Sequence, residues 1–351
     1  MNNFSAILLK WYSHYKRELP WRGERDPYKI WVSEIILQQT RIAQGWNYYL
    51  RFIERFPTVA DLANASQDEV LKHWQGLGYY SRARNLHTGA KYIVNQHDGK
   101  FPRRYEDILK IKGVGEYTAA AIASMAYLLP YPTVDGNAFR VLTRIFGIHT
   151  PIDTNAGKKE ITDLANKLID KKQASSFNQA IMDFGALQCT PASPNCCACC
   201  FEFLCVAKQN NLQSVLPIKS QKTKIRTRYF YYLHIHYQKK TIIQKREKND
   251  IWKSLYEFPL IENDKELSIE EVLSDIFLKE MLKNCTYTVA AVSSSYKHQL
   301  SHQLIIAQFI TLVVTKGKLI ATPPLLFIPK SEIDKYPVAR LTERFLEKIV
   351  S

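Results

Sequence analysis

Apolar residues recur every three or four positions through most of residues 1–205, which is the period of amphipathic helices. The first such run is Phe4, Ile7, Leu8, Trp11 and Tyr15. Longer segments with this period, such as YKIWVSEIILQQ and YTAAAIASMAYL, are separated by breaks rich in Pro, Gly or Asn. Helix-capping residues recur, among them Ser66 with Glu69 three residues later, and Asp135 before GNAFRVLTRIF. The pattern predicts an almost entirely helical domain.

The pattern changes after Cys205. Residues 206–225, VAKQNNLQSVLPIKSQKTKI, are polar and basic, and we interpret them as a linker. From Arg226 onward, runs such as RYFYYLHIHY and LIIAQFITLVV are rich in aromatic and β-branched residues, which is typical of strands. The helical pattern SIEEVLSDIFLKEML interrupts these runs, so residues 226–351 are predicted to form an α+β domain.

The charge composition of the chain indicates what kind of partner it binds. The 351 residues include 48 Lys and Arg against 33 Asp and Glu, for a net charge of +15. Such an excess attracts a polyanion, either nucleic acid or an acidic membrane surface. No apolar run approaches the roughly 18 residues that a membrane helix requires. The N-terminus lacks the order of a secretory signal. We therefore expect a cytoplasmic protein that is not embedded in a membrane.

Six of the seven cysteines lie within residues 189–205. Four of them have the spacing C-x6-C-x2-C-x5-C, namely Cys189, Cys196, Cys199 and Cys205. Four thiolates can hold zinc, but structural zinc usually takes two short Cys pairs. The wider spacings favour a 4Fe–4S cluster, with zinc as the alternative. Cys197 and Cys200 are interpreted as spare thiols.

Two glycines precede the Ala-rich helical segment in IKGVGEYTAAAIASMA. Gly113 and Gly115 allow a tight turn whose amides a phosphate can approach at a helix N-terminus. Alone, the pair is equally typical of a simple turn between helices. With the VDGN segment about twenty residues later, the pair resembles the helix-hairpin-helix and Gly/Pro-Asp loop of base-excision glycosylases.

Two carboxyl groups are the candidates for catalysis. Glu34 lies in IWVSEIILQQ among apolar residues, where desolvation favours the protonated form. Asp135 precedes the helix GNAFRVL, whose exposed amides stabilise a carboxylate. Each residue also has a simpler interpretation, as a solvated helix residue and as a helix cap. As a pair, one neutral and one charged carboxyl suit the cleavage of a glycosidic bond.

Motifs along nearly the whole chain resemble those of the MutY family of adenine DNA glycosylases. They are LPWRGERDPYKIWVSEIILQQT, WQGLGYYSRARNL, the hairpin, VDGN, FNQAIMDFGALQCTP and the cysteine loop. The resemblance implies a multidomain fold of the α + α/β type. An all-helical helix-hairpin-helix glycosylase domain with an iron–sulfur loop would span residues 1–205, and an α+β Nudix-like domain would span residues 226–351.

The resemblance also implies roles for individual residues in the helical domain. Glu34 would protonate the leaving adenine at N7, and Asp135 would stabilise the sugar cation. Asn137 matches a partner of that Asp, and Tyr117 matches a residue close to the sugar. Arg22 and Gln179 match residues of the adenine pocket. Gln39 matches the Gln that probes the DNA helix at the lesion.

Leu77 and Tyr79 match a wedge near the purine opposite the adenine. The flanking glycines, Gly76 and Gly78, suggest a tip that is pushed outward. Related enzymes that cleave the DNA backbone have a Lys at the position of Tyr117, so the Tyr predicts a monofunctional enzyme.

Within 226–351, the segments RTRYF, IWKSLYEFPLIE and SSYKHQLSHQL resemble the Nudix-like domain of the same family. No acidic Nudix box suited to Mg²⁺-dependent hydrolysis is present in the sequence. The family uses a Phe-Ser-His loop here to recognise 8-oxoguanine. Ser301 and His302 retain the polar residues of that loop, whereas Leu300 replaces the Phe.

The expected function is excision of adenine mispaired with 8-oxoguanine or guanine in base excision repair. The expected cofactor is one 4Fe–4S cluster, and the expected partner is double-stranded DNA containing such mispairs, bound by a monomer associated with the nucleoid. Two alternatives remain from the sequence. One is an endonuclease III-like pyrimidine glycosylase and lyase, and the other is a non-catalytic binder of damaged DNA.

Overall fold

The computed structural model describes residues 3–220, 225–320 and 323–350, with the side chain of Val350 left out. Helices dominate the chain as far as residue 209. They are α1 (Phe4–Tyr15), α2 (Pro27–Leu37), α3 (Ile42–Arg55), α4 (Val59–Asn64), α5 (Gln67–Trp74), α6 (Ser81–His97), α7 (Tyr105–Ile108), α8 (Glu116–Tyr127), α9 (Gly136–Phe146), α10 (Asn155–Leu168), α11 (Ala174–Leu187) and α12 (Val206–Gln209). The helical prediction for this part of the chain is confirmed.

Strands form a single mixed sheet in the remainder of the chain. They are β1 (Arg226–Tyr237), β2 (Lys240–Lys245), β3 (Tyr256–Glu257), β4 (Leu260–Asn263), β5 (Cys285–Val292), β6 (Tyr296–Gln299), β7 (Gln303–Gly317) and β8 (Leu325–Pro329). The helices α13 (Ile269–Leu273), α14 (Ile276–Leu282) and α15 (Arg340–Val350), and the 3-10 helix Lys330–Lys335, accompany the sheet. Strands β1 and β7 pair in parallel, with Tyr229 opposite Ile306, and the strand order is β3-β2-β1-β7-β5. The α+β prediction is confirmed.

The chain divides into two compact units. The first comprises Met1–Asn64 and Asn85–Gln221, and the second comprises Ala65–Arg84 and Lys222–Ser351. Among the described residues, no helix has both the length and the apolar character needed to cross a membrane.

The core of the first unit lies where α1, α9 and α11 meet. Leu8, Val141 and Phe184 are fully buried there. Phe201, from the cysteine-rich loop, stacks on Phe4 with ring centroids 4.9 Å apart. Burying these rings removes a large apolar area from water, which fixes the loop against the helices.

The first unit extends further than the predicted boundary at residue 205. Ala207 and Leu216 are buried apolar residues within the polar segment that we predicted to be a linker. Arg144 Nε donates to the Leu216 carbonyl at 3.0 Å, and Ile152 N donates to the Ile218 carbonyl at 3.0 Å. The linker prediction is therefore wrong for the described residues up to 220, and residues 221–224 lie outside the described part of the chain.

The second unit contains a segment from the predicted helical domain. Residues 65–84 belong to this unit, and some of them form hydrogen bonds with residues after position 222. The Tyr80 hydroxyl donates to the Val338 carbonyl at 3.2 Å, and Arg84 Nη1 donates to the Lys253 carbonyl at 2.6 Å. These bonds join positions more than 160 residues apart, so no local pattern could have predicted them.

Candidate active site and cysteine cluster

One cavity in the first unit, of about 770 Å³, gathers most of the predicted catalytic and base-binding side chains. Its lining includes Arg22, Glu34, Gln39, Tyr117, Asp135, Asn137 and Gln179. They come from the α1–α2 loop, from α2 and the turn after it, and from α8, α9 and α11. The fold therefore brings together residues that are spread over more than 150 positions of the sequence.

Glu34 is the buried carboxyl group of this cavity. It is 7% exposed and lies on α2 beside the fully buried Trp31, Val32 and Ile36. The Tyr117 hydroxyl donates to Glu34 Oε2 at 2.7 Å. Burial raises the pKa of Glu34 to about 7, and the charge of Asp135 acts in the same direction, whereas the Tyr117 hydrogen bond and the Arg22 charge oppose it. The site therefore holds a carboxylic acid that keeps its proton close to neutral pH.

Asp135 is surrounded by donors instead. It caps α9, and its Oδ1 accepts from Ala138 N at 2.8 Å. Its Oδ2 accepts from Asn137 Nδ2 at 2.7 Å. Hydrogen bonds from an amide and a helix N-terminus stabilise a carboxylate. The two carboxyl groups thus have the contrasting environments expected from their sequence contexts.

Two residues that sequence reasoning missed hold Asn137 in place. Arg140 Nη2 donates to Asn137 Oδ1 at 2.8 Å and to the Gly185 carbonyl at 2.8 Å. A Cβ on Gly185 would lie 2.5 Å from Asn137 Cβ, so only glycine permits this approach. Arg140 lies one helical turn after Gly136, which is the only local signal that could have suggested its role.

The cavity lining also includes an arginine, Arg22, and a glutamine, Gln179. Arg22 Nη1 donates to Gln179 Oε1, which also accepts from the Tyr12 hydroxyl at 3.0 Å. Arg22 Nη2 donates at 2.6 Å to Asp183, a fully buried carboxylate that also accepts from Arg17. Arg22 Nε is buried without a hydrogen-bond partner among the described residues. Asp183 was missed, although a lone acid in the apolar run QAIMDFGAL is a signal that reasoning could have used.

The predicted hairpin is present in the first unit. Gly113 has a φ of +83°, and a Cβ there would lie 2.6 Å from Asn85 Cβ, so the position requires glycine. Gly115 is the N-cap of α8 without a side-chain cap, and a Cβ there would meet nothing within 4 Å. The amides at the start of α8 are thus open to a ligand such as a phosphate.

Gln39 lies directly after α2 in the left-handed region, with a φ of +60°. A non-glycine residue rarely adopts this conformation, and it is common at functional sites. The side chain is exposed at the edge of the cavity, which suits a residue that contacts a ligand.

The four predicted ligand cysteines line one small cavity, whereas Cys197 and Cys200 are exposed and do not line it. Arg144 Nη1 lies 3.5 Å from Cys189 Sγ, and Phe201 N donates to Cys199 Sγ at 3.4 Å. Within the described residues, no three His, Cys, Asp or Glu side chains are grouped closely enough to hold a single metal ion. Four thiol groups, with N–H donors beside two of them, are the donor set that a thiolate-bound cluster would need.

The predicted lesion-reading residues lie in the second unit. Tyr79 is 50% exposed, and its hydroxyl is 2.6 Å from Ser301 Oγ. Ser301 and His302 are exposed between β6 and β7, whereas Leu300 packs against the core. Leu77 is only 7% exposed, so the prediction that the glycine-flanked tip projects outward is wrong for this side chain. The left-handed backbone of the loop exposes Tyr79 instead.

Comparisons with known proteins agree with this architecture. Residues 32–171 match the HhH-GPD superfamily of base excision DNA repair proteins, and residues 230–348 match a NUDIX domain. The structure of a thermostable thymine-DNA glycosylase superposes with a TM-score of 0.56 and 31% identity, covering 60% of this chain and 96% of that one. An endonuclease III–DNA complex has a TM-score of 0.53 and 23% identity, over the same shares of the two chains. The fold and the site define a DNA glycosylase of the helix-hairpin-helix class.

Curated relatives specify the family. An adenine DNA glycosylase of Buchnera aphidicola from Baizongia pistaciae is 35% identical over 320 residues, 89% of this chain and 87% of that protein. The human adenine DNA glycosylase is 43% identical over 222 residues, 61% of this chain and 41% of that protein. The chain belongs to the adenine DNA glycosylase family. The predicted family, fold class and enzyme class are thereby confirmed.

The buried acid generates a prediction about stability. Below the ordinary pKa of 4.5, Glu34 is protonated in both the folded and the unfolded states, so its burial carries no ionisation penalty. As the pH rises from about 4.5 to about 7, the unfolded state ionises Glu34 while the folded state keeps it protonated, so this contribution to stability is lost by the time the folded group ionises at about pH 7. The difference in unfolding free energy between Glu34→Gln and wild type should therefore shift in favour of the variant by about 2–3 kcal/mol from about pH 5 to about pH 8.

Urea unfolding followed by circular dichroism at both pH values measures this difference. Glu54→Gln is the matched control, because Glu54 is exposed on α3 and the substitution removes the same charge. Equal pH dependence in wild type and Glu34→Gln would show that the Glu34 carboxyl is not held neutral.

Proposed function

We propose that this protein hydrolyses the N-glycosidic bond of adenine paired with 8-oxoguanine or guanine in duplex DNA. The observation that carries the proposal is the pair of carboxyl groups in one cavity, with Glu34 buried and Asp135 capping α9. Adenine leaves poorly as an anion, so the reaction needs one acid and one carboxylate.

Glu34 is the proton donor in this proposal. With a pKa of about 7, the acid is about half protonated at neutral pH and strong enough to give up its proton in the transition state. Adenine N7 is the acceptor. The Tyr117 hydroxyl, which donates to Glu34 Oε2, fixes the carboxyl orientation, and burial raises the pKa of Tyr117 so that it stays a donor.

Asp135 stabilises the positive charge that the sugar develops as the bond breaks, either through its field or by covalent capture. Asn137 and the α9 amides keep its oxygens in place, so little reorganisation is needed during the reaction. Since position 117 supplies a phenol and no amine, no Schiff base forms there. The product is therefore an abasic site in an intact strand.

The Arg22–Gln179 pair binds the extruded base. Extruding a base costs a few kcal/mol of stacking and pairing, which contacts in the pocket must offset. Both side chains line the cavity, where Arg22 Nη1 donates to Gln179 Oε1. Asp183 neutralises part of the arginine charge and holds Arg22 in this orientation.

DNA contacts and lesion reading use both units. The Gly113–Gly115 hairpin presents amides to a phosphate, and Gln39 probes the base stack. Tyr79 stacks beside the purine opposite the adenine. An 8-oxoguanine differs from guanine by an N7–H donor and a C8 carbonyl, and the Ser301 hydroxyl can bond to either. His302 supports the loop or meets a phosphate.

The four cysteines of the cavity, Cys189, Cys196, Cys199 and Cys205, are the ligands of a 4Fe–4S cluster in this proposal. Bound there, the cluster would tie the loop to the end of α11 and to α12, and would leave the glycosidic chemistry to the protein. Zinc is the alternative that the experiment below distinguishes.

The proposed acid is tested by Glu34→Gln, because an amide cannot protonate the base. We expect duplex binding to be nearly unchanged and adenine release to be abolished, measured as single-turnover cleavage of an adenine:8-oxoguanine duplex. Activity within about threefold of wild type, under ~0.7 kcal/mol of barrier, would contradict the assignment.

The same gel assay discriminates the other functions. Wild type should cut the strand only after alkali, and should leave a thymine glycol duplex intact. Strand cleavage without alkali, with a borohydride-trapped adduct, would indicate a lyase. Glu54→Gln should retain full activity, since Glu54 lies outside the cavity.

The metal assignment predicts about four irons and four sulfides per chain after anaerobic purification. Cys197→Ser and Cys200→Ser should retain the iron, since neither residue lines the cavity. Replacing any one of the four lining cysteines with Ser should lose iron or destabilise the loop. A colourless, zinc-loaded and fully active preparation would overturn the iron–sulfur assignment.

Lesion reading is tested by Ser301→Ala combined with His302→Ala. Losing one or two hydrogen bonds of roughly 0.5–1.5 kcal/mol each should weaken adenine:8-oxoguanine binding about tenfold more than adenine:guanine binding. Both affinities are measured at one salt concentration, because salt changes all duplex binding. Ser294→Ala, in the same unit and exposed, is the control. Equal losses for the two mispairs would identify a non-specific clamp.

A further inference from the structure

The loop that carries Tyr79 has an unusual backbone. Gly76, Gly78 and Tyr79 all lie in the left-handed region, with φ values of +94°, +72° and +47°. Two of these residues are glycines, which adopt the conformation without strain, but Tyr79 is not. Other contacts must therefore keep the Tyr79 backbone in this conformation.

Arg82 supplies such contacts from the first turn of α6. It is 9% exposed, and its Nη2 donates to the Leu77 carbonyl at 3.4 Å and to the Gly78 carbonyl at 3.2 Å. The Gly78 carbonyl also accepts from Trp74 Nε1 at 3.1 Å. The Leu77 and Gly78 carbonyls, which precede Tyr79, thus accept hydrogen bonds from side chains that lie before and after the loop in the sequence.

The guanidinium of Arg82 also contacts two rings. Its central carbon lies 5.3 Å from the Trp74 ring centroid and 5.5 Å from the Tyr79 ring centroid. Burial lowers the pKa of Arg82 to about 10, so the group stays cationic at neutral pH and can attract both π-faces. The cation therefore supports the inner face of the Tyr79 side chain, whose hydroxyl is 2.6 Å from Ser301 Oγ.

We propose that Arg82 is a positioning residue for mispair recognition, which fixes the loop from Gly76 to Tyr79 so that the Tyr79 ring is presented to the DNA and its hydroxyl to Ser301. The inference rests on the proposed role of Tyr79. The guanidinium donates to two carbonyls while its central carbon lies over two rings, a combination that the compact Lys ammonium cannot reproduce.

The test is a double-mutant cycle between Arg82 and Tyr79 in the full chain, with Glu34→Gln as background to prevent turnover. Arg82→Met keeps the length of the side chain and removes its donors and charge. We expect it to weaken binding to an adenine:8-oxoguanine duplex about tenfold relative to an undamaged duplex. In a chain that also has Tyr79→Ala, Arg82→Met should change this ratio less than twofold, because its effect passes through Tyr79.

Arg84→Met is the matched control. It removes the same charge two residues away, from a side chain that donates to the Lys253 carbonyl, so it should leave the ratio unchanged. Arg82→Lys retains the charge, and we expect it to behave like Arg82→Met in the ratio. If Arg82→Met fails to fold, Arg82→Lys completes the cycle.

The outcomes separate the two proposals. If Tyr79→Ala alone leaves the binding ratio intact, the proposed role of Tyr79 is wrong. If Tyr79→Ala lowers the ratio but the Arg82 variants do not, or lower it by the same factor with and without Tyr79, the positioning role of Arg82 is overturned. A fall in melting temperature with an unchanged ratio would assign Arg82 a structural role only.

Discussion

Burial of one carboxyl group is the constraint around which the catalytic cavity is arranged. Glu34 lies on a helix whose neighbouring side chains, including Trp31 and Ile36, are fully buried, and water cannot solvate its anion there. A buried carboxyl group without a hydrogen-bond donor would only destabilise the folded protein. The Tyr117 hydroxyl supplies this donor to Glu34. Asp135 lies in the opposite environment, at the N-terminus of α9, so two chemically similar groups have different surroundings within one cavity.

Helix α9 connects this carboxylate to the cysteine loop. Arg140, whose Nη2 bonds to Asn137, also donates through Nε to the Cys189 carbonyl at 2.8 Å. One turn later, Arg144 donates to the Thr190 carbonyl at 2.7 Å and to the Pro191 carbonyl at 2.9 Å. The cysteine loop therefore lies against the same helix that Asp135 caps. Hydrogen bonds through Arg140 and Asn137 link the Cys189 carbonyl to the Asp135 carboxyl group.

The sequence pattern predicted those features of the structure that depend on residues close together in the chain. The helical period, the caps at Ser66 and Asp135 and the cysteine spacing each depend on residues close in sequence. Asp183 and the segment 206–220 were not recognised, because their partners are distant in the chain and a polar composition conceals buried positions such as Leu216. Leu77 was misplaced for a related reason: two flanking glycines signal an irregular backbone, but not which side chain it exposes.

The placement of residues 65–84 in the second unit bears on the lesion recognition that we propose. Tyr79 and Ser301 are separated by more than 220 positions, yet a hydrogen bond joins them within one compact unit. Gln75 strengthens this arrangement by donating to Glu343 at 2.8 Å and accepting from Val338 N at 3.2 Å. The Tyr79 ring and the Ser301 hydroxyl, to which we assign lesion recognition, thus lie in the same unit. The proposed catalytic cavity lies in the first unit, so the proposal divides excision and recognition of the opposite base between two compact units of the chain.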